Sequence, residues 1–206
     1  MYGAGGHSIS VLDALTLAGQ PPALIIDDDP AKQGRQVGSI RVMGNLSLFS
    51  KELAGYELIV AIARNEVRKQ VVSQLLQMGA KLCGAKHPSA IISPMATVDP
   101  TAQILAGVIV NAGAVVGAHA VLNTGCIVDH DTSVGEFAHV GPGAVLAGAV
   151  VLEEGAFVAT GAKVCPFVRI GGWSTLGAGA VALGDIPAHS VAVGVPARLR
   201  KGDTHK

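Results

Sequence analysis

Large rings are scarce in this chain of 206 residues, which has four Phe, two Tyr and one Trp. Its core must therefore be assembled from Ala, Val, Ile and Leu, small side chains that stack rather than interlock. Cysteine is scarce too. Cys83, Cys126 and Cys165 are odd in number, far apart and without CxxC spacing, which excludes a disulfide framework and a zinc ribbon and predicts reduced thiols in a cytoplasmic protein. Net charge is absent, with 15 Lys+Arg against 15 Asp+Glu, so there is no field to hold a nucleic acid or an anionic membrane by counterion release. The first residues carry no basic stretch followed by an apolar one, and no secretion signal is expected. Residues 104–128 hold no charge at all, a run long enough by hydropathy to cross a bilayer. Asn111, His119, Asn123 and Thr124 interrupt it, and it obeys a period foreign to a membrane helix, so no membrane span is expected.

That period is six. From Ile92 every sixth residue through Leu176 is Ile, Val or Leu, fifteen in succession, although only 57 of the 206 residues are of these types. Four places after each stands a small residue, from Ala96 and Ala102 through Cys126, Thr132 and Ser174 to Ala180. Neither the 3.6 period of a helix nor the alternation of an ordinary strand fits. A strict hexapeptide repeat is the signature of a parallel β-helix, in which three hexapeptides make one triangular coil and the aliphatics stack inward. Fifteen hexapeptides predict five coils, about 24 Å tall at the strand spacing of a sheet, with the small residues at the tight corners. Such a prism is expected to cap its ends and to bury a flank against copies of itself.

Residues 1–86 read differently. Gly3-Ala4-Gly5-Gly6-His7-Ser8 precedes an amphipathic stretch to Ala18. An apolar run Leu24-Ile25-Ile26 ends at Asp27-Asp28-Asp29, and Leu58 to Ala63 leads into a helical pattern from Asn65 to Met78. Strand and helix alternate, as in a small α/β domain. Glycines at a strand-to-helix turn let phosphate oxygens reach backbone N–H groups, and an acid about 20 residues later can hold a ribose hydroxyl. Asp27 stands 24 residues after Gly3. Ser8 replaces the last glycine of the GxGxxG pattern, and only Met1-Tyr2 occupies the place of the first strand, which reads as missing.

Taken together, YGAGGHS at 2–8, IIDDD at 25–29, HPSAIISPMATV at 87–98, NTGCIVDHDTSVGEFAHVGPGAVLAG at 123–148 and GDIPAHSVAVGVPAR at 184–198 resemble the left-handed β-helix acyltransferases. Within them they are similar to the sugar-nucleotide acetyltransferases typified by bacillosamine N-acetyltransferase and the sialic-acid O-acetyltransferase-like proteins. The resemblance implies a Rossmann-like α/β domain over 1–86, an all-β left-handed parallel β-helix over 87–198, and a tail over 199–206. It also implies a homotrimer, acetyl-CoA as cosubstrate, no metal, and a nucleotide-linked amino sugar held by the N-terminal domain. By the same resemblance His130 is the general base and Asp131 the acid beside it. His139, Gly148, Thr160 and Ala178 lie on the acetyl-CoA side. Gly5, Gly6, His7, Asp27, Asp28, Ala63 and Asn123 lie on the sugar-nucleotide side, with Ala63 standing where relatives often carry glycine.

The residues suit that chemistry. Acylating an amine requires a base whose pKa lies near the working pH, and an imidazole oriented by a carboxylate meets the requirement. Asp129-His130-Asp131 supplies both groups, and glycine-rich backbone or a donor from His139 can polarise the thioester carbonyl. The expected reaction is N-acetylation of a UDP-4-amino-4,6-dideoxy-N-acetylhexosamine on the path to a surface glycan, by direct transfer without a nucleophilic residue. Sugar or sialic-acid O-acetylation and a GDP-linked amino sugar are the alternatives. A zinc carbonic anhydrase on the same prism would need His119, His130 and His139 as ligands, but their spacings of 11 and 9 lack a close pair. An ice-binding or purely structural prism would need ladders of repeated polar residues, and these are absent. His130 and His139 lie half a coil apart, a spacing that favours convergence across a subunit interface.

Overall fold

The computed structural model describes residues 1–49 and 55–200. Contacts divide the chain into two units, Met1–Pro88 and Ser89–Lys206, two residues later than the boundary read from the sequence.

In the first unit the strand that read as missing is present, reduced to the first three residues. Tyr2 bridges in parallel to Ile26 on one side and to Val60 on the other. The backbone N–H of Tyr2 donates to Ile59 at 2.8 Å and that of Gly3 to Ile26 at 2.8 Å, while the carbonyls of Met1 and Tyr2 receive Ile26 and Ala61. Two residues suffice because each of their peptide groups finds a partner on both flanks. Ile25 also bridges Val42, and Glu57–Leu58 pairs in parallel with Lys81–Leu82. Numbered along the chain, these five segments lie in the order 3-2-1-4-5, the arrangement of a mononucleotide-binding half. Helix α1 (Gly6–Leu17) follows the first segment and helix α2 (Asn65–Gln77) the fourth. Ser8, wholly buried, donates its hydroxyl to the Gly5 carbonyl at 2.6 Å, which accounts for serine where the glycine pattern falters.

The second unit is the prism. Its first face stacks Ile91–Ile92, Ile109–Val110, Ile127–Val128, Val145–Leu146, Lys163–Val164 and Val181–Ala182 in parallel. The second runs from Thr97–Val98 to Arg169–Ile170. The third runs from Gln103–Ile104 through His139–Val140 to Val191–Val193. Partners in all but the top coil are 18 residues apart, as a period of six with three faces requires.

The five expected coils become six. Past Val181 the frame shortens by two residues, so Ile170 bridges Ile186 and Leu176 pairs with Ala192. The loss falls in Leu183-Gly184-Asp185, where the hexapeptide signal fades, and this coil is therefore invisible to the period. Val191–Val193 then takes Arg198–Leu199 as an antiparallel partner, which covers an otherwise open edge.

The corners also differ from expectation in one respect. The tight backbone conformation falls three residues after each aliphatic, at φ near +55° to +74°, on Gly107, Gly113, Gly125, Gly143, Gly155, Gly161 and Gly179 but also on His119, Asp131, Phe137, Ala149, Phe167 and Trp173. The small residues four places after each aliphatic, from Ala102 to Ala180, are buried inside the prism. They are small because the triangle narrows at its vertices, not because the turn requires it. Where one coil's backbone passes directly beneath the next, even a methyl group is excluded: a Cβ on Gly135 would stand 2.7 Å from the Glu154 nitrogen.

No helix among the described residues is long and apolar enough to cross a membrane, and the uncharged run 104–128 is prism wall. Cys83, Cys126 and Cys165 are free thiols. Burial pushes the Cys126 thiol up to about 12, so it behaves as a small core hydrophobe.

Candidate active site

Stacking at a period of 18 sorts the candidate residues by corner. The turn between the first and second faces carries Ala112, His130 and Gly148 one above another, joined by Asp131 N–H to the Ala112 carbonyl at 3.1 Å and Ala149 N–H to the His130 carbonyl at 2.9 Å. His130 is exposed, its side chain 60 % accessible and that of Asp131 70 %. The imidazole Nδ1 donates to Asp131 Oδ2 at 2.9 Å. A carboxylate only accepts, so this bond places the proton on Nδ1 and leaves the Nε2 lone pair directed outward. The bond to Asp131, helped by the charges of Asp129 and Asp131, raises the imidazole pKa above its ordinary value.

Two glycines make room for this dyad. Asp131 adopts φ +56°, a region that Asp tolerates better than most residues, and its Oδ1 occupies the space that a Cβ on Gly113, one coil below, would fill. Above, the three atoms nearest a Cβ on Gly148 all belong to the His130 ring. Gly148, expected on the acetyl-CoA side, is thus also the floor on which the imidazole lies.

His139 stands elsewhere, on the third face, buried, with its ring 5.0 Å from that of Phe157. Asn123 Oδ1 accepts the Thr124 backbone N–H at 2.8 Å, which turns the Asn123 amide nitrogen toward His139 Nε2 at 3.1 Å. That nitrogen is therefore an acceptor and the His139 proton sits on Nδ1. A donor to a thioester carbonyl from this ring would be Nδ1–H, not Nε2–H. Thr124, Pro142, Thr160 and Ala178 form the next corner, linked by Gly143, Gly161 and Gly179 N–H donors at 2.8–2.9 Å. Asn123, Thr160 and Ala178 therefore share an edge, while His130 lies on another edge of the same prism.

In the first unit Gly5 is the N-cap of α1 and Gly6 its first residue, beside His7. A Cβ on either glycine would meet nothing within 4 Å, so nothing inside the protein requires glycine there, and the space lies open to a ligand at the helix N-terminus. Asp27 and Asp28 are both engaged. Asp27 accepts from Ala4 N–H at 2.7 Å, Asp29 N–H at 2.9 Å and Lys32 Nζ at 3.0 Å. Burial pushes its carboxyl up, but these three donors outweigh it and hold the pKa below the usual range. Asp28 accepts from Tyr2 Oη and from Leu46 N–H, each at 2.8 Å, and lines a cavity of about 330 Å³ with Asn45, Leu46, Ser47, Gln74 and Met78. The Ala63 carbonyl accepts from Arg68, a fully buried residue that the sequence did not flag, which also donates to Ile62 and Asn65. Burial pulls that guanidinium down to about 10.

Among the described residues no three His, Cys, Asp or Glu side chains cluster as metal ligands, so His119, His130 and His139 make no three-histidine site within one chain.

Comparison with known proteins agrees with this geometry. A family described as the PglD N-terminal domain matches residues 1–75. A histidine-to-asparagine variant of perosamine N-acetyltransferase from Caulobacter crescentus, solved with CoA and GDP-perosamine, is 37% identical over 97% of this chain and 94% of its own, with a TM-score of 0.91. The chain belongs to the sugar N-acetyltransferases of the left-handed β-helix family. It is accordingly an acyltransferase. A second member, the acetyltransferase domain of PglB from Neisseria gonorrhoeae, solved with acetyl coenzyme A, is 32% identical over 97% of each chain, at TM-score 0.89. WeeI from Acinetobacter baumannii, 23% identical over 97% of each chain at TM-score 0.86, shares the fold. Within this family the corner at His130 and the glycine turn at Gly5 are the two places where the chain offers open space beside polar groups.

Proposed function

We propose that this acetyltransferase moves an acetyl group from acetyl-CoA to the 4-amino group of a nucleotide-linked amino sugar, with His130 as general base. The observation that carries the reading is the exposed His130–Asp131 pair, its Nδ1 proton committed to the carboxylate and its Nε2 lone pair outward. His130 Nε2 accepts the amine proton as the nitrogen attacks the thioester carbonyl. The C–N bond forms, the C–S bond breaks, and the imidazolium returns the proton to the departing CoA sulfur. Asp131 stabilises that imidazolium while it lasts. Thr160 and Ala178 offer exposed backbone along one edge for the pantetheine chain. Gly5, Gly6 and His7, with Asp27 and Asp28 bracing the turn, receive the nucleotide.

The sequence reading favours a UDP-linked sugar. The similarity to an enzyme solved with GDP-perosamine favours GDP, and this is the second reading. A panel of UDP-, GDP- and CMP-linked sugars, each with a free 4-amine or with hydroxyls only, decides between them by thiol release from acetyl-CoA. Turnover on an amino sugar supports N-acetylation and names the nucleotide; turnover confined to hydroxyl acceptors refutes it.

The active form is a homotrimer in this reading. The first face turns Ile91, Ile109, Ile127, Val145 and Val181 outward, Ile91 being 66% exposed, an apolar stripe that a solitary prism would leave in water. The free thiols suit the reducing cytoplasm.

The pH dependence follows from the dyad. His130 must be neutral to act, and Asp131 raises its pKa, so kcat/KM should climb with pH through a value above the ordinary imidazole 6.5. Asp131→Asn keeps an acceptor and tolerates the same φ, but removes the charge. The acidic limb should move to lower pH and the plateau should fall. A limb that stays in place would dissociate Asp131 from the base.

A further inference from the structure

We infer that Asn111 and Asp129 are positioning residues for the base, a clamp that sets the height and direction of the His130 turn. The inference rests on the reading of His130 given above. Asp129 Oδ1 accepts two bonds at once, from the His130 backbone N–H at 2.7 Å and from Asn111 Nδ2, one coil below, at 2.7 Å. The Asn111 bond, then that of His130, holds the Asp129 carboxyl below its usual pKa. At the far end of the same turn Thr132 is buried where most repeats carry alanine, and its hydroxyl donates to the Ala147 carbonyl, beside Gly148, at 2.9 Å.

The four residues 129–132 are thereby tied downward at one end and upward at the other by side chains, in addition to the backbone bonds that every corner makes. Coil-to-coil backbone bonds alone define the corner's path, but an exposed turn holding a 60 % accessible imidazole has little packing to fix its tilt. The side-chain ties supply that constraint. A base displaced by about 1 Å loses on the order of 10²-fold in rate.

Both bonds end on Oδ1, and this makes the idea testable. Asp129→Asn retains the oxygen that accepts them, whereas Asp129→Ala removes it and Asn111→Ala removes the donor below. Asp129→Ala and Asn111→Ala should each lower kcat by about 10- to 100-fold, with KM for both substrates and the melting temperature unchanged. Asp129→Asn should keep kcat within about threefold of the parent, with the acidic limb of its pH profile lowered slightly by the lost charge. An Asp129→Asn as damaged as Asp129→Ala would assign the effect to charge and overturn the clamp, as would an unchanged kcat in both alanine variants. If Asp129→Ala does not fold, Asn111→Ala carries the test. His130→Ala, assayed alongside, separates the two failures. Activity retained in His130→Ala removes the base itself, whereas loss there with full activity in the alanine variants of 111 and 129 removes only the clamp.

Discussion

Replacing His130 with alanine is expected to lower turnover by about 10²- to 10⁴-fold, the usual worth of a general base, with the prism unchanged. The side chain is 60 % accessible and lies outside the hydrophobic core, so its removal opens no cavity and takes away no buried partner. The amine would then have to lose its proton to water, and no group at this corner would stabilise the cation formed. Turnover at saturating concentrations of both substrates, with melting temperature and sizing profile as controls, is the measurement. Turnover equal to the parent's would remove His130 from the mechanism, and the role of Asp131 with it.

The second large effect comes from a residue that touches the reaction only through His130. Gly148→Ala should lower kcat by about 10²-fold and leave stability close to the parent's. The argument is steric. Gly148 is absent from the glycines of positive φ, so its backbone accepts alanine. The atoms in the way of the new methyl are Nε2, Cε1 and Cδ2 of His130, the end of a side chain free to swing into solvent. The fold is therefore spared, and the imidazole, lifted off its floor, loses its aim. The double variant His130→Ala, Gly148→Ala should be no slower than His130→Ala alone, because two changes acting through one group do not add. A double variant markedly slower than the single one would show that Gly148 acts separately, on the acetyl-CoA side where the family resemblance places it.

The two halves of the molecule were unequally legible. Period six reports a prism because a coil repeats one local steric solution, an inward aliphatic and a narrow vertex, and each repeat restates it in the sequence. The sixth coil escaped because it drops two residues after Ala182 and pairs by a different offset, and no periodic count survives a change of frame. The short first strand escaped for the opposite reason. Tyr2 is a strand only by virtue of Ile26 and Val60 on either side, and two residues carry no pattern of their own.

At the site the same division holds. Adjacent residues were readable: His130 and Asp131 are neighbours in the chain, and a carboxylate beside an imidazole declares its use. Asn111, Gly113 and Gly148 are 19, 17 and 18 residues from His130 and belong to the site only because coils stack. The 18-residue spacing was in hand, and searching at that offset would have found them. The tautomer of His139 was out of reach, since it depends on how the Asn123 amide is turned by Thr124. So was the engagement of Asp27 by Ala4, Asp29 and Lys32.

The sequence by itself determined the architecture and the reacting pair, because both are written in short-range order: a repeat of six, a glycine turn, two neighbouring residues. The tertiary structure alone decided what supports that pair, which histidine nitrogen carries a proton, and which carboxylates are already engaged. Those outcomes depend on side chains from separate coils or strands meeting within hydrogen-bond distance, and that meeting is set by coil height and rotamer, which no local pattern encodes.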